Sequence, residues 1–133
     1  MNVKKGETVL DPFSGSGTLG LEAQLLGINS INVDISPFCN LIGKVKTESV
    51  FCLDEILKIQ NEVKSNIENN QFKNNEEYVK MLKTLTTNEQ TINFYVLLRY
   101  FAISDVVRRH RQFLPYFNKN LEQQINLLKE ICC

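Results

Sequence analysis

The stretch VLDPFSGSGTLGLEAQLLG, residues 9–27, decides how this chain is read. Gly15, Gly17 and Gly20 stand in the spacing G-x-G-x-x-G, just ahead of a segment with helical periodicity. Glycines so placed permit positive φ in a tight turn and let a ligand reach backbone N–H groups. Upstream, GETVLDPF predicts a short apolar strand from Glu7 to Asp11 after a polar turn at Gly6. Downstream, Thr18 to Leu26 reads as a helix in which Leu21 and Leu25 share a face, with Gly27 placed to end it. NSINVDIS, residues 29–36, is a second strand whose polar end arrives at Asp34. Strand, glycine-rich turn, helix, strand and acidic residue make the first half of a Rossmann-like α/β fold, a βαβ unit. A further helix starts after Ser36–Pro37, because proline is tolerated in a first turn.

Composition shifts near residue 48. All six glycines fall at or before Gly43, and from Glu48 onward only Pro115 remains of the three prolines. Residues 1–47 are therefore expected to form the βαβ portion, and residues 48–133 a mainly helical segment, in the same domain or as an insertion. In that segment a helix beginning near Asp54 and running to about Asn69 places Ile56, Ile59, Val63 and Ile67 along one face. EEYVKMLKTL gives a shorter helix, and NIENNQFKNNEE, residues 66–77, the most loop-like stretch. Thr87–Asn88–Glu89–Gln90 has the Thr-x-x-Gln form of a capping box, ahead of a long apolar helix to about Arg109. Leu114–Pro115–Tyr116 reads as a break between helices, and NKNLEQQINLLKEICC as a closing amphipathic helix.

Fifteen basic and fifteen acidic residues cancel, so no global field advertises nucleic acid or a membrane surface. No apolar run approaches the ~18 residues of a membrane span, and the first ten residues lack a signal-peptide core. Cys39, Cys52, Cys132 and Cys133 form no C-x-x-C pair, and the single His110 is far from the first two, so no metal site is expected. Unpaired thiols without a secretion signal point to the cytoplasm.

Three ligands compete for the glycine loop. A triphosphate loop needs G-x-x-x-x-G-K-[ST], and no lysine follows Gly17. A dinucleotide fits the glycine spacing, with Asp34 accepting ribose hydroxyls, but Asp11 places a negative charge where a pyrophosphate would lie. S-adenosylmethionine fits better: it has no phosphate, and a nearby carboxylate stabilises its ammonium and sulfonium. Its own carboxylate can sit at the N-terminus of the helix that begins near Thr18. A glycine turn without any ligand is the remaining alternative.

The segment VLDPFSGSGTLGLEAQLLGINSINVDISP resembles the cofactor motif of the DNA amino-methyltransferases, D-P-F-x-G-S-G-T followed by a helix and a D-I-[NS]-P turn. The likeness covers about residues 5–47. It implies S-adenosylmethionine as cofactor, bound by Asp11, Pro12, Phe13, Ser14, Gly15, Ser16, Gly17, Thr18, Asp34 and Ile35. Asp11 and the Phe13–Thr18 loop would hold the methionine end, Asp34 the ribose hydroxyls, and Ile35 would pack on adenine. It also implies methyl transfer to the exocyclic amino group of adenine or cytosine, with DNA as partner of the complete enzyme. The helical segment is similar, by pattern alone, to the variable helical region that some of these enzymes place between cofactor and catalytic motifs. RNA methyltransferases have a similar glycine-rich motif.

Methylating an exocyclic amine requires a polar–Pro–Pro–aromatic loop that accepts the amine's hydrogen bonds and stacks on a flipped base. This chain has no Pro-Pro dipeptide. Ser36–Pro37–Phe38 lies in the turn after the second strand and reads as turn chemistry, and Leu114–Pro115–Tyr116 lacks the polar acceptor. No catalytic residue is assigned, His110 included. With only two strands legible, the chain is expected to be a piece of an enzyme or one subunit, the catalytic motif lying on a missing segment or a second chain. Arg99, Arg108, Arg109, His110 and Arg111, followed by Phe113 and Tyr116, form the one dense basic cluster. It reads as a solvated helix end before a phosphate-binding surface. A non-catalytic interaction subunit, pairing through the apolar helix at 90–107, is the reading from another class.

Overall fold

The computed structural model describes residues 3–15, 17–70, 72–109 and 113–132. The chain divides into two compact units, Met1–Glu48 and Ser49–Cys133.

The first unit is α/β. Its strands β1 (Thr8–Asp11) and β2 (Asn29–Asn32) pair in parallel, Thr8 opposite Asn29 through to Asp11 opposite Asn32. Parallel neighbours need a crossover, supplied here by helix α1 (Thr18–Leu25). The helix ends as the sequence predicts: the Gly27 N–H donates to Gln24 O and the Ile28 N–H to Ala23 O, the paired bonds that close a helix on a glycine. Helix α2 (Pro37–Glu48) follows, with Ser36 as its cap. The alternation of a strand puts Ser30 and Asn32 on one face, where the Asn32 amide donates to Ser30 Oγ at 3.0 Å. Asn32 meets α1 at Gly20, where an added Cβ would stand 2.7 Å from Asn32 Nδ2. The cross-strand neighbours Leu10 and Ile31 take the opposite face and remain more than half exposed.

The second unit is all-helical: a 3-10 turn (Ser49–Cys52), then α3 (Leu53–Asn69), α4 (Asn75–Leu85), α5 (Glu89–Arg109) and α6 (Phe113–Cys132). Ile56, Ile59, Val63 and Ile67 are all buried, as their spacing predicts, and so are Tyr78 and Leu82 of α4 and Phe94, Tyr95, Leu98 and Ala102 of α5. Phe117, Leu121, Ile125 and Leu128 supply the buried stripe of α6. Two buried hydroxyls add direction to this apolar packing. Tyr95 donates to Ile56 O at 2.7 Å and Tyr78 to Tyr95 O at 2.8 Å, tying α5 to α3 and α4 to α5. Each such bond contributes about 1 kcal/mol net, and its loss leaves a buried carbonyl poorly served.

Two helix starts differ from the sequence expectation. The cap of α5 is Asn88, one residue beyond Thr87: Asn88 Oδ1 accepts from the Thr91 N–H at 2.8 Å and from the Thr91 hydroxyl at 3.1 Å. Thr86 fixes that register, since its hydroxyl accepts from the Asn88 N–H and donates to Glu55 Oε1. Pro115 does not break a helix but lies in the first turn of α6, where a missing N–H costs nothing. Among the described residues no helix is long and apolar enough to cross a membrane.

Candidate functional site

Parallel pairing sends the C-terminal ends of β1 and β2 to the same edge, the edge at which open α/β sheets bind ligands. Asp11 ends β1, and residues 12–15 leave from there; Asn32 ends β2, followed by Val33, Asp34, Ile35 and Ser36. Backbone bonds lace the two loops together, Val33 N–H to Asp11 O at 2.9 Å and Ser14 N–H to Val33 O at 3.0 Å. The Gly17 N–H turns back to Ser14 O at 3.0 Å, which tightens the loop.

Asp34 is the hub. Its Oδ2 accepts the Gly15 N–H at 2.9 Å, across 19 residues of sequence. Its Oδ1 accepts the Ser36 N–H at 2.9 Å, and its carbonyl accepts from the Asn40 side-chain amide at 2.9 Å. A carboxylate offers about four lone-pair directions, so two protein donors leave acceptor capacity on each oxygen. Asp11 makes the smaller turn, its Oδ1 accepting the Phe13 N–H at 3.2 Å.

Gly17 caps α1 in the left-handed conformation, φ 79°, and brings no side chain to cap the first-turn amides. Its bare Cα is required by the protein itself: a Cβ there would stand 2.7 Å from the Cα of Gly43 in α2. Both that strained φ and that close approach exclude a side chain.

The structure thus brings Asp11, Ser14, Gly15, Gly17 and Asp34 together at one edge, with Pro12, Phe13, Thr18 and Ile35 on the same loops. Ile35 is fully exposed and Phe13 is 88% exposed, so neither ring nor aliphatic chain is used by the fold. Ser16 lies outside the described residues. Gly43 and Asn40 escaped the sequence reading. An isolated glycine inside a helical pattern was the available signal for Gly43, and Asn40 gave none.

Ser36 behaves as turn chemistry, its Oγ accepting the Cys39 N–H at 3.3 Å and its carbonyl the Asn40 N–H at 3.0 Å. Of the basic cluster only the Arg99 side chain is described, and it departs from the solvated reading. Arg99 is buried within the helical unit, because it follows Tyr95 by one helical turn on the packed face. The side chains of Arg108 and Arg109, and all of His110 and Arg111, lie outside the described residues, as do the thiols of Cys132 and Cys133. Cys52 is buried, its thiol donating to Ser49 O at 3.5 Å, and Cys39 is half-buried. Among the described residues no three metal-ligating side chains cluster.

A parallel strand pair with a glycine loop joined to a strand-end carboxylate defines an α/β protein built to present its loops at one sheet edge. The chain belongs to the family described as UPF0020, RMKL-like, methyltransferase domain, which matches residues 1–96. It is similar to the Type II methyltransferase M.BsoBI of Geobacillus stearothermophilus, 51% identical over 45 residues, or 34% of this chain and 9% of that protein. Likeness to the Type II methyltransferase M.MjaII of Methanocaldococcus jannaschii is 51% over 43 residues, 32% of this chain and 8% of that protein. The chain therefore matches less than a tenth of the length of these curated relatives. No solved structure matches it.

Proposed function

We propose that residues 1–48 form the S-adenosylmethionine-binding portion of a Rossmann-like DNA amino-methyltransferase, the helical segment being the variable region that accompanies it. The observation that carries this reading is the Gly15 N–H to Asp34 Oδ2 bond, which joins the glycine loop to the acidic residue after β2. The residues present fit the group. Asp11 offers its second carboxylate oxygen to an ammonium or sulfonium, and the start of α1, where Gly17 brings no capping side chain, suits the methionine carboxylate. Asp34 retains lone pairs for two ribose hydroxyls, and exposed Ile35 and Phe13 give apolar contact for a purine. Pro12, Ser14, Ser16 and Thr18 complete the loop in this assignment. When bound, the cofactor supplies an electrophilic methyl group on sulfur.

The acceptor would be the exocyclic amine of adenine or cytosine in DNA, in keeping with the names of the Type II relatives. The loop that would hold a flipped base is not encoded here, since the sequence has no Pro-Pro dipeptide. We assign it to another segment or a second chain. Methylation of RNA is the competing reading, and transfer of a labelled methyl group to DNA but not RNA by the assembled enzyme separates the two.

Calorimetric titration with S-adenosylmethionine, S-adenosylhomocysteine and NAD tests the cofactor assignment. Micromolar binding of the first two without NAD is the expected outcome. Binding of NAD, or of none of the three, overturns the assignment of the site to this chain.

A further inference from the structure

The helical unit contains a feature that the methyl-donor reading does not use. A cleft of about 460 Å³ opens between α3, α4, α5 and the start of α6, lined by Arg99, Phe72, Tyr78, Ile103, Phe113 and Glu68. Its volume falls in the range of small-molecule sites, and its walls are largely aromatic and aliphatic.

Arg99 makes this cleft unlike a packing defect. The residue is 9% exposed, and among the described residues its guanidinium makes no ion pair within 4 Å. Its guanidinium carbon stands 5.5 Å from the centre of the Tyr78 ring, and Nη2 donates one long bond, 3.5 Å, to Phe72 O. Among the described residues these are its only partners, and none of them is a carboxylate. A guanidinium carries five N–H donors and cannot lose its proton, so it must find acceptors or water. A buried cation with one weak acceptor is stabilised by any anion able to enter.

The walls define what else such an anion carries. The Tyr78 hydroxyl is already committed to Tyr95 O, and its fully buried ring lies behind Arg99 and Phe72, so it backs the cleft and offers no donor. Phe72 packs edge-on to Tyr78 with centroids 5.6 Å apart, and Phe113 stacks on Phe117 at 5.8 Å. Rings so arranged accept a further aromatic ring in stacked or edge contact. Glu68 is exposed at the rim and opposes a second negative charge.

We propose that this cleft is a binding site for a small aromatic monoanion, a planar ring bearing one carboxylate or one singly charged phosphate ester. Arg99 receives the anion in its planar fork, and Phe72 and Phe113 hold the ring. The proposal is independent of the methyl-donor site, which lies on other residues.

The test is titration of the full chain with benzoate, phenyl phosphate and the uncharged benzyl alcohol, followed by amide chemical shifts. Benzoate should bind saturably, shift amides of α5 and α3 around Arg99 and Ile67, and outbind benzyl alcohol. Arg99→Met should weaken benzoate about tenfold or more while leaving benzyl alcohol unchanged, since charged hydrogen bonds contribute most. Glu68→Gln should improve phenyl phosphate more than benzoate. Should Arg99→Met fail to fold, Ile103→Trp, which fills the cleft while keeping the cation, must abolish benzoate binding. Equal affinity for benzoate and benzyl alcohol overturns the proposal, as does unchanged benzoate affinity in Arg99→Met or Ile103→Trp.

Discussion

Three glycine-to-alanine substitutions separate backbone strain from steric contact in the first unit. Gly17 has φ 79°, and its added Cβ would lie 2.7 Å from the Cα of Gly43, a backbone atom that no rotamer change can remove. Left-handed backbone costs a non-glycine residue about 1–2 kcal/mol. Forcing an extra methyl into a tight backbone contact costs about 1–3 kcal/mol more. Alanine recovers about 0.4–1 kcal/mol by stiffening the unfolded chain, so Gly17→Ala should destabilise by roughly 2–4 kcal/mol. Gly15 isolates the first cost: its φ is 53° and its Cβ would meet nothing within 4 Å, so about 1 kcal/mol or less is expected. Gly43 isolates neither, having ordinary helical backbone and a Cβ that would meet only Gly17 Cα at 3.8 Å. Gly43→Ala should therefore stabilise by about 0.5–1 kcal/mol, the helix propensity gain.

Native-state hydrogen exchange reads these effects locally, through the amides of α1 and β2, without requiring both units to unfold together. Protection should fall in the order Gly43→Ala, wild type, Gly15→Ala, Gly17→Ala, with the α3 and α5 amides unchanged. A Gly17→Ala protein as well protected as Gly15→Ala would show that α1 and α2 do not cross at these glycines, and the contact would have to be abandoned.

Asp34→Asn keeps the shape but can accept through only one atom, so either Gly15 or Ser36 loses its partner. Exchange at those two amides should rise and S-adenosylmethionine affinity fall about tenfold or more by calorimetry, whereas unchanged values would remove Asp34 from the hub. Asn88→Ala should cost about 1 kcal/mol in urea denaturation and Thr87→Ala within about 0.5 kcal/mol, the reverse order restoring the Thr-x-x-Gln cap. Burial pushes the Tyr78 hydroxyl well above its ordinary range, with Tyr95 adding to the shift and the Arg99 guanidinium opposing it, and burial likewise raises Tyr95. A folded pKa above the unfolded value holds the proton more tightly in the native state. That stabilisation is complete below about pH 10 and is lost as pH rises further, so helical-unit stability should fall above about pH 10, less steeply in Tyr78→Phe.

The legible parts of the fold were those carried by local rules. Ile56, Ile59, Val63 and Ile67 advertise a buried face by spacing alone, and Gly27 a helix end by backbone need. The α5 cap was misplaced by one residue because Thr87 and Asn88 are both good caps, and the choice between them rests on Thr86 reaching Glu55 across 31 residues. Arg99 was grouped with its basic neighbours because charge invites a solvent reading. Its burial depends on the Tyr78 ring from another helix, which no window around residue 99 contains. The site was half legible for the same reason: the loop and Asp34 are local motifs, but the Gly43 contact that Gly17 requires comes from α2.

That contact bears on the choice of ligand. In a dinucleotide fingerprint the second glycine is bare so that a pyrophosphate can approach its backbone. Here the bare side of Gly17 is filled by Gly43, the Gly20 position faces Asn32, and the Gly15 N–H is spent on Asp34. All three glycines thus serve contacts within the protein, and the Asp11 carboxylate at the end of β1 would further oppose a pyrophosphate. A ligand whose charge at that edge is positive, and whose single carboxylate needs only the start of α1, meets none of these objections. These contacts support the proposed methyl donor over NAD, for reasons that lie in Gly43 and Asp11 and not in the glycines themselves.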